Sequence, residues 1–364
     1  MKYIKIIIAL TITTSLYSQA DIVIGKEISL FSEVLNEERK LLISLPQNYA
    51  RDNYTYPVIL VMDGEYLFEI TNSIVKIKVS RNEMPASIIV GIPNNTAKRY
   101  DMALKLSKSN GQNFFGNNEG NTQKYLSFLR EELFPFLKKN YRINTHRTII
   151  GMSPTFGPVL EAFWNQPDLF RGYIVLAAEL SLKTISGKSV SDKVLEAVQN
   201  KERQSASLYI GKAGKDLERR PVNEAEAFIT LNHKLDSIAN PKINYKIEIL
   251  ENKNHYGMSI AGIEHGLGTM YPFEIWDIPY RDFWNSENPA NKMKSFYEQL
   301  SNRYGFEIRP LEDSFYFSQT LLGTIRRLER QKQKRELKDV IELGLKYYPN
   351  SIELKRIKST IKNF

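Results

Sequence analysis

Short apolar runs, each closed by a turn signal and separated by segments of helical spacing, constrain this chain more than any other feature. Residues 57–62 (PVILVM) stop at Asp63-Gly64, residues 87–92 form a second such run, and residues 148–150, 171–177, 207–210 and 243–250 read as further strands. Runs that are apolar at every position suit strands buried on both faces. Helical spacing between them, at 123–139, from 158 to 164 and at 222–238, suits crossovers in a parallel sheet covered by helices. Ahead of these, residues 22–45 read as two strands joined by a turn, and residues 106–122 as a long loop rich in Gly, Asn and Ser. The expectation is an α/β fold with a mostly parallel central sheet. Such sheets carry their sites at the carboxyl ends of the strands.

The two ends of the chain differ from this middle. Lys2 and Lys5, an apolar run at 6–16 and Ser18-Gln19-Ala20 have the layout of a secretory signal peptide. The run is about half of the ~20 residues that a spanning helix needs, and with no cysteine in the chain a lipid-anchored N-terminus is excluded. A mature chain from residue 21, periplasmic or secreted and with no membrane span after cleavage, is expected. From residue 289 strand signals cease. Residues 292–304, 314–331 and 334–347 read as helices, followed by a short terminal one. The chain thus divides into a signal peptide at 1–20, an α/β domain at 21–288 and a helical C-terminal extension at 289–364, which offers a surface for a protein partner.

Composition closes off several chemistries. Without cysteine there are no disulfides, no thiolate nucleophile and no cysteine metal site. The formal charge of +9 over 364 residues is spread along the chain, with no arginine stripe interleaved with aromatics, so nucleic acid is not the expected partner.

The chemistry is concentrated at "RTIIGMSPTFGPVLEAFWNQPDLF", residues 147–170. A strand runs into Gly151-Met152-Ser153 and a helix follows, the layout of a nucleophile elbow in which a tight turn lifts a serine hydroxyl above the sheet. Gly151 supplies the small residue needed before the serine. After it, Thr155 stands where the G-x-S-x-G pattern has glycine, and Pro154 stands where a backbone N–H would serve an oxyanion hole. The order Ser, acid, His of this fold points to His255, in the loop after residues 243–250, and to an acid after 207–210. Asp216 and Glu218 both fall there, with Asp216 preferred because it lies nearer the strand. The turn at Gly64 and Glu65 offers backbone amides for the oxyanion and the substrate pocket. No metal ligands and no cofactor motif accompany these residues.

At these residues the chain resembles the esterase D family of exported esterases, which includes enterobactin-type esterases. "VILVMDGEYLF" is similar to the family's strand ending in L-D-G. "VGIPNNTAKRYDM" (90–102) is similar to a family segment at Asn94 or Asn95, Arg99, Asp101 and Met102, and "FLREELFPFLKKNYRINTHRTIIGMS" resembles the run into the serine. "YEQLSNRYGFEIRP" and "LGLKYYPNS" (343–351) resemble C-terminal extensions that end in a TPR-like helical pair. The resemblance implies an α/β-hydrolase fold and hydrolysis of a small-molecule carboxylic ester, without metal or organic cofactor, through Ser153, Asp216 and His255 and an acyl-enzyme. The family has small glycines after its serine, and Pro154-Thr155-Phe156 departs from that. The second reading is therefore a catalytically weak or inactive binding or scaffold protein of the same fold, using its helical tail for a partner.

Overall fold

A computed structural model of the protein describes residues 21–94, 102–107, 120–219, 222–238 and 240–361. The signal segment at 1–20, Asn95, Arg99 and Asp101, and most of the loop read at 106–122 lie outside the described residues.

The apolar runs are the strands of one eight-stranded sheet. They are β1 (Lys26–Ser32), β2 (Glu37–Ser44), β3 (Tyr56–Met62), β4 (Ile88–Ile92), β5 (Ile143–Met152), β6 (Gly172–Leu176), β7 (Ala206–Ala213) and β8 (Ile243–Leu250). The spatial order is β1-β2-β4-β3-β5-β6-β7-β8. The β1–β2 and β2–β4 pairs are antiparallel and the rest are parallel, the α/β-hydrolase arrangement. Alternation along β3 sorts its side chains between two cores: Val58, Leu60 and Met62 face one, Ile59 and Val61 the other. Each fully buried aliphatic side chain of this kind contributes roughly 1.5–3 kcal/mol.

Helices cover both faces. They run α1 (Gly64–Ser80), α2 (Thr122–Ser127), α3 (Phe134–Asn140), α4 (Phe156–Asn165), α5 (Val190–Gln199), α6 (Gly214–Leu217), α7 (Val222–Asp236) and α8 (Met258–Met270). Beyond them come the short α9 (Phe273–Trp276) and α10 (Tyr280–Trp284), then α11 (Pro289–Tyr304), α12 (Leu321–Arg330), α13 (Lys334–Tyr347) and α14 (Ile352–Ile361). The single helix read at 123–139 is divided by a π-helical turn at Phe128–Leu133. This turn lies just before Pro135, whose missing N–H interrupts the i→i−4 ladder.

The C-terminal helices pack against the sheet's second face. One hydrophobic cluster joins Ile150, Met152 and Ile174 of the sheet and Ile263 of α8 to Met293, Leu321, Val340 and Leu354. A polar lock adds to it at the amino ends of the strands. Arg309 meets Asp52 at 2.8 Å with both side chains buried, and its guanidinium is sandwiched between the rings of Tyr54 and Tyr348. The Tyr54 hydroxyl donates to the Glu307 carbonyl, and Asn82 Nδ2 donates to the Gln319 carbonyl at 2.6 Å.

Candidate active site

The carboxyl end of β5 runs through a 3-10 turn, Ser153–Thr155, straight into α4. Ser153 adopts φ of +56°, a left-handed conformation that costs a non-glycine residue about 1–2 kcal/mol. From residue 148 to 163 every residue is buried except Ser153, which is half-buried. The backbone strain therefore lifts this one side chain out of an otherwise closed strand and helix. Gly151 is required by close approach: a Cβ there would stand 2.5 Å from the Thr155 carbonyl and 2.7 Å from Val159 Cγ2.

Thr155, at the position where the motif has glycine, carries a structural function of its own. Its Oγ1 accepts from the Met152 amide at 2.7 Å and lies 2.5 Å from Asp63 Oδ2, to which it donates. Asp63 is fully buried, sits at φ of +54° between β3 and α1, and also accepts from Asn94 Nδ2. The Asn94 amide in turn donates to Glu65 Oε2 at 3.0 Å. The turns after β3, β4 and β5 are thereby tied together, and the start of α1 is held beside the elbow. The sequence marked Asp63 only as half of a turn pair.

Gly64 and Glu65 are the first two residues of α1, whose leading amides have no partner within the helix and carry its positive end. The amides of Tyr66 and Leu67 instead bond back to the Asp63 carbonyl, at 3.1 and 3.0 Å. On the other side of the elbow Pro154 has no N–H, and the Phe156 amide is engaged with the carbonyls of Ser153 and Pro154.

Two further loops bring Asp216 and His255 together. Gly214 opens α6 after β7, and a Cβ there would lie 2.2 Å from the Glu251 carbonyl after β8. The Lys215 amide donates to the Lys253 carbonyl at 3.1 Å. Across this junction His255 Nδ1 and Asp216 Oδ2 are 2.6 Å apart, with side-chain exposures of 29% and 17%. Glu218, the alternative acid, pairs with Lys215 at 2.6 Å on the surface. The His255 ring meets Tyr256 edge-on, and Tyr256 packs the same way against Tyr66 of α1, so the histidine loop borders the helix start that holds Gly64 and Glu65. A carboxylate bonded to Nδ1 favours the tautomer that carries its proton there.

A second ionic pair, missed in the sequence, lies beside this junction. Lys212, at the end of β7 and fully buried, donates to the Ala178 carbonyl and to Glu179 Oε1, both at 2.9 Å. A lysine closing an apolar strand was the available signal, since a buried ammonium needs a buried partner. Of the remaining histidines, His265 on α8 meets Glu248, and His146 is half-buried at the opposite end of β5 among Tyr271, Tyr304 and Phe306. Among the described residues no group of three His, Asp or Glu side chains is placed to hold a metal, and no helix is long and apolar enough to cross a membrane.

Comparison with known proteins bears on this arrangement. Residues 32–256 match the family described as "Putative esterase". An uncharacterized protein of Bacillus subtilis, YjcH, is 30% identical over 190 residues, covering 50% of this chain and 70% of YjcH. The ferri-bacillibactin esterase BesA of the same organism is 29% identical over 174 residues, 43% of this chain and 59% of BesA. Among solved structures, the IroE-like serine hydrolase from Shewanella oneidensis superposes with a TM-score of 0.69 at 21% identity, covering 88% of this chain and 98% of that one. That coverage exceeds residues 21–288 alone, so the shared fold extends into the C-terminal helices. With well over half of its length matched from β1 through His255, the chain belongs to this esterase family and has its α/β-hydrolase fold.

Proposed function

We propose that the protein is a serine-dependent carboxylic-ester hydrolase working through Ser153, His255 and Asp216. His255 Nε2 removes the Ser153 proton as Oγ attacks the ester carbonyl carbon, and the carbonyl π electrons move onto oxygen. Asp216 holds the Nδ1 proton and stabilises the imidazolium. Collapse of the tetrahedral intermediate expels the alcohol, which takes the proton from His255 and leaves an acyl-enzyme. Water, deprotonated by the same imidazole, then releases the carboxylic acid and restores Ser153. The observation that carries this reading is the 2.6 Å His255–Asp216 pair, formed in a chain whose one half-buried elbow residue is a serine in the left-handed region.

The oxyanion is assigned to the amides of Gly64 and Glu65. Pro154 contributes nothing there, and one absent donor is worth roughly 10²–10³ in rate. A slow esterase that favours activated esters is the consequence. Small and medium acyl esters are the proposed substrates, and the likeness to a ferri-bacillibactin esterase makes siderophore esters the first natural ones to test. Residues 1–20 are proposed as a signal peptide that delivers the enzyme to the periplasm or the exterior, and the division at 288/289 as a boundary between hydrolase domain and helical extension.

Incubation with a fluorophosphonate and peptide mass analysis tests the nucleophile directly. The expected result is one adduct on the peptide containing Ser153, absent from Ser153→Ala. An adduct on another serine would contradict the assignment. No adduct together with no ester turnover would favour the binding or scaffold reading, to which Pro154 points.

A further inference from the structure

A cavity of about 700 Å³ lies between β2, α2, α4 and α5, and none of Ser153, His255, Asp216, Gly64 or Glu65 lines it. We propose that it is a second binding site, for a small organic anion: a carboxylate carried on an apolar body. This inference does not depend on the catalytic reading.

Arg39 is the first observation. On β2 it occupies the inward face with Leu41 and Ile43, where strand alternation places core residues, and it is only 3% exposed. Its guanidinium lies over the Tyr125 ring, and Nη2 pairs with Glu37 at 2.6 Å. Nε and Nη1 have no hydrogen-bond partner among the described residues. A buried guanidinium with open donors is unfavourable through lost solvation unless acceptors reach it. An acceptor entering from the cavity would supply them.

The charge around the cavity is the second observation. Lys105 and Lys124 stand exposed at its rim, and Lys193 is half-buried with Nζ 5.3 Å from the centre of the Trp164 ring. Only Glu37 and Glu161 oppose these four cations among the described lining residues. Glu37 is held by Arg39, and Glu161 receives hydrogen bonds from Gln123, Trp164 and Asn165 at 3.3, 2.8 and 2.5 Å. Both carboxylates are thus occupied by protein donors, while the cationic excess is left facing the space. Leu104 and Trp164 make part of the wall apolar, which selects an anion with a hydrophobic body over a bare inorganic one.

Benzoate is the probe, with benzamide as its neutral counterpart of the same shape and inorganic phosphate as the bare oxyanion. Calorimetric titration of the full chain should show benzoate binding at least about tenfold tighter than benzamide or phosphate, because a charge-assisted bond to a buried guanidinium is the main contact. Arg39→Gln should weaken benzoate at least about tenfold, and Lys193→Gln, nearer the rim, about two- to threefold. Trp164 lines the cavity, so the change in tryptophan fluorescence on adding benzoate should vanish in Trp164→Phe. If Arg39→Gln does not fold, the benzoate–benzamide ratio and the Lys193→Gln and Trp164→Phe variants still decide the matter. Equal affinity for benzoate and benzamide, or a fluorescence change that survives Trp164→Phe, would overturn the site. Phosphate binding as tightly as benzoate would overturn the assignment to an anion with an apolar body.

Discussion

At the carboxyl ends of β5, β7 and β8 the polar groups of the candidate site stay partly open, with Ser153 half-buried and His255 and Asp216 exposed by 29% and 17%; at the amino ends, Arg309 and Asp52 are closed off at 8% and 3%. The open end also concentrates strained backbone, with left-handed φ at Asp63, Ser153 and Ala177, directly after β3, β5 and β6. The closed end has instead aromatic rings packed around Arg309 and around His146. One sheet thus divides its roles: the partly open polar groups lie at the end where a substrate could reach, and the C-terminal helices cover the other. Activity and stability should therefore be separable by mutation.

The largest effect should come from the open end. Asp216→Asn keeps the hydrogen-bonding geometry but favours the wrong imidazole tautomer, and should lower kcat for a nitrophenyl ester by about 10⁴ with the unfolding midpoint little changed. Glu218→Gln, which loses only a surface contact to Lys215, should leave kcat within about twofold. A full-rate Asp216→Asn would move the acid elsewhere.

The closed end should respond in the opposite sense. Arg309→Ala removes a buried cation from Asp52, which keeps the Tyr56 hydroxyl at 2.7 Å, the Tyr54 amide at 3.1 Å and Arg142 at 3.5 Å. The cost should be about 3 kcal/mol in unfolding free energy, read as a lower denaturant midpoint, with kcat/KM unchanged under folding conditions. A variant that loses activity at an unchanged midpoint would mean that the two ends are coupled.

A smaller effect follows from His146. Burial pushes its pKa down to about 4 from an ordinary value near 6.5, against the pull of a hydrogen bond with the Tyr304 backbone. The unfolded chain therefore binds this proton more readily than the folded one. The stabilising contribution is complete above about pH 6.5 and is lost as pH falls towards 4, a change of up to about 3 kcal/mol. His146→Phe should flatten the stability profile between those values. An unaltered slope would show that other groups govern acid unfolding.

Much of the open end was readable in the sequence because it depends on local order: a strand, a serine, a helix, then an acid and a histidine after successive strands. The apolar runs of β3 and β4 and the helical spacing of α13 were likewise explicit. What was missed depends on contacts distant in sequence. Helix α8 hides in a glycine-rich stretch, where Gly262 and Gly266 lie against Leu176 and Ile174. The helix expected from residue 314 starts at Leu321, because residues 314–319 are pinned to Ser80 and Asn82 and Thr320 caps the helix through Gly323. Thr155 appeared as a flaw in a motif, and its bond to Asp63 spans 92 positions. The burial of Arg39 and Lys212 is likewise set by neighbouring strands and helices rather than by their own.

The central claim is that Ser153 is the nucleophile, and the most direct test is steady-state hydrolysis of a nitrophenyl ester by the wild-type protein and by Ser153→Ala. Wild-type turnover, slow for an esterase because of Pro154, should fall by at least about 10⁴ in kcat in Ser153→Ala while the fold and unfolding midpoint are kept. Equal rates for the two proteins would contradict the account and leave a binding protein on an esterase scaffold.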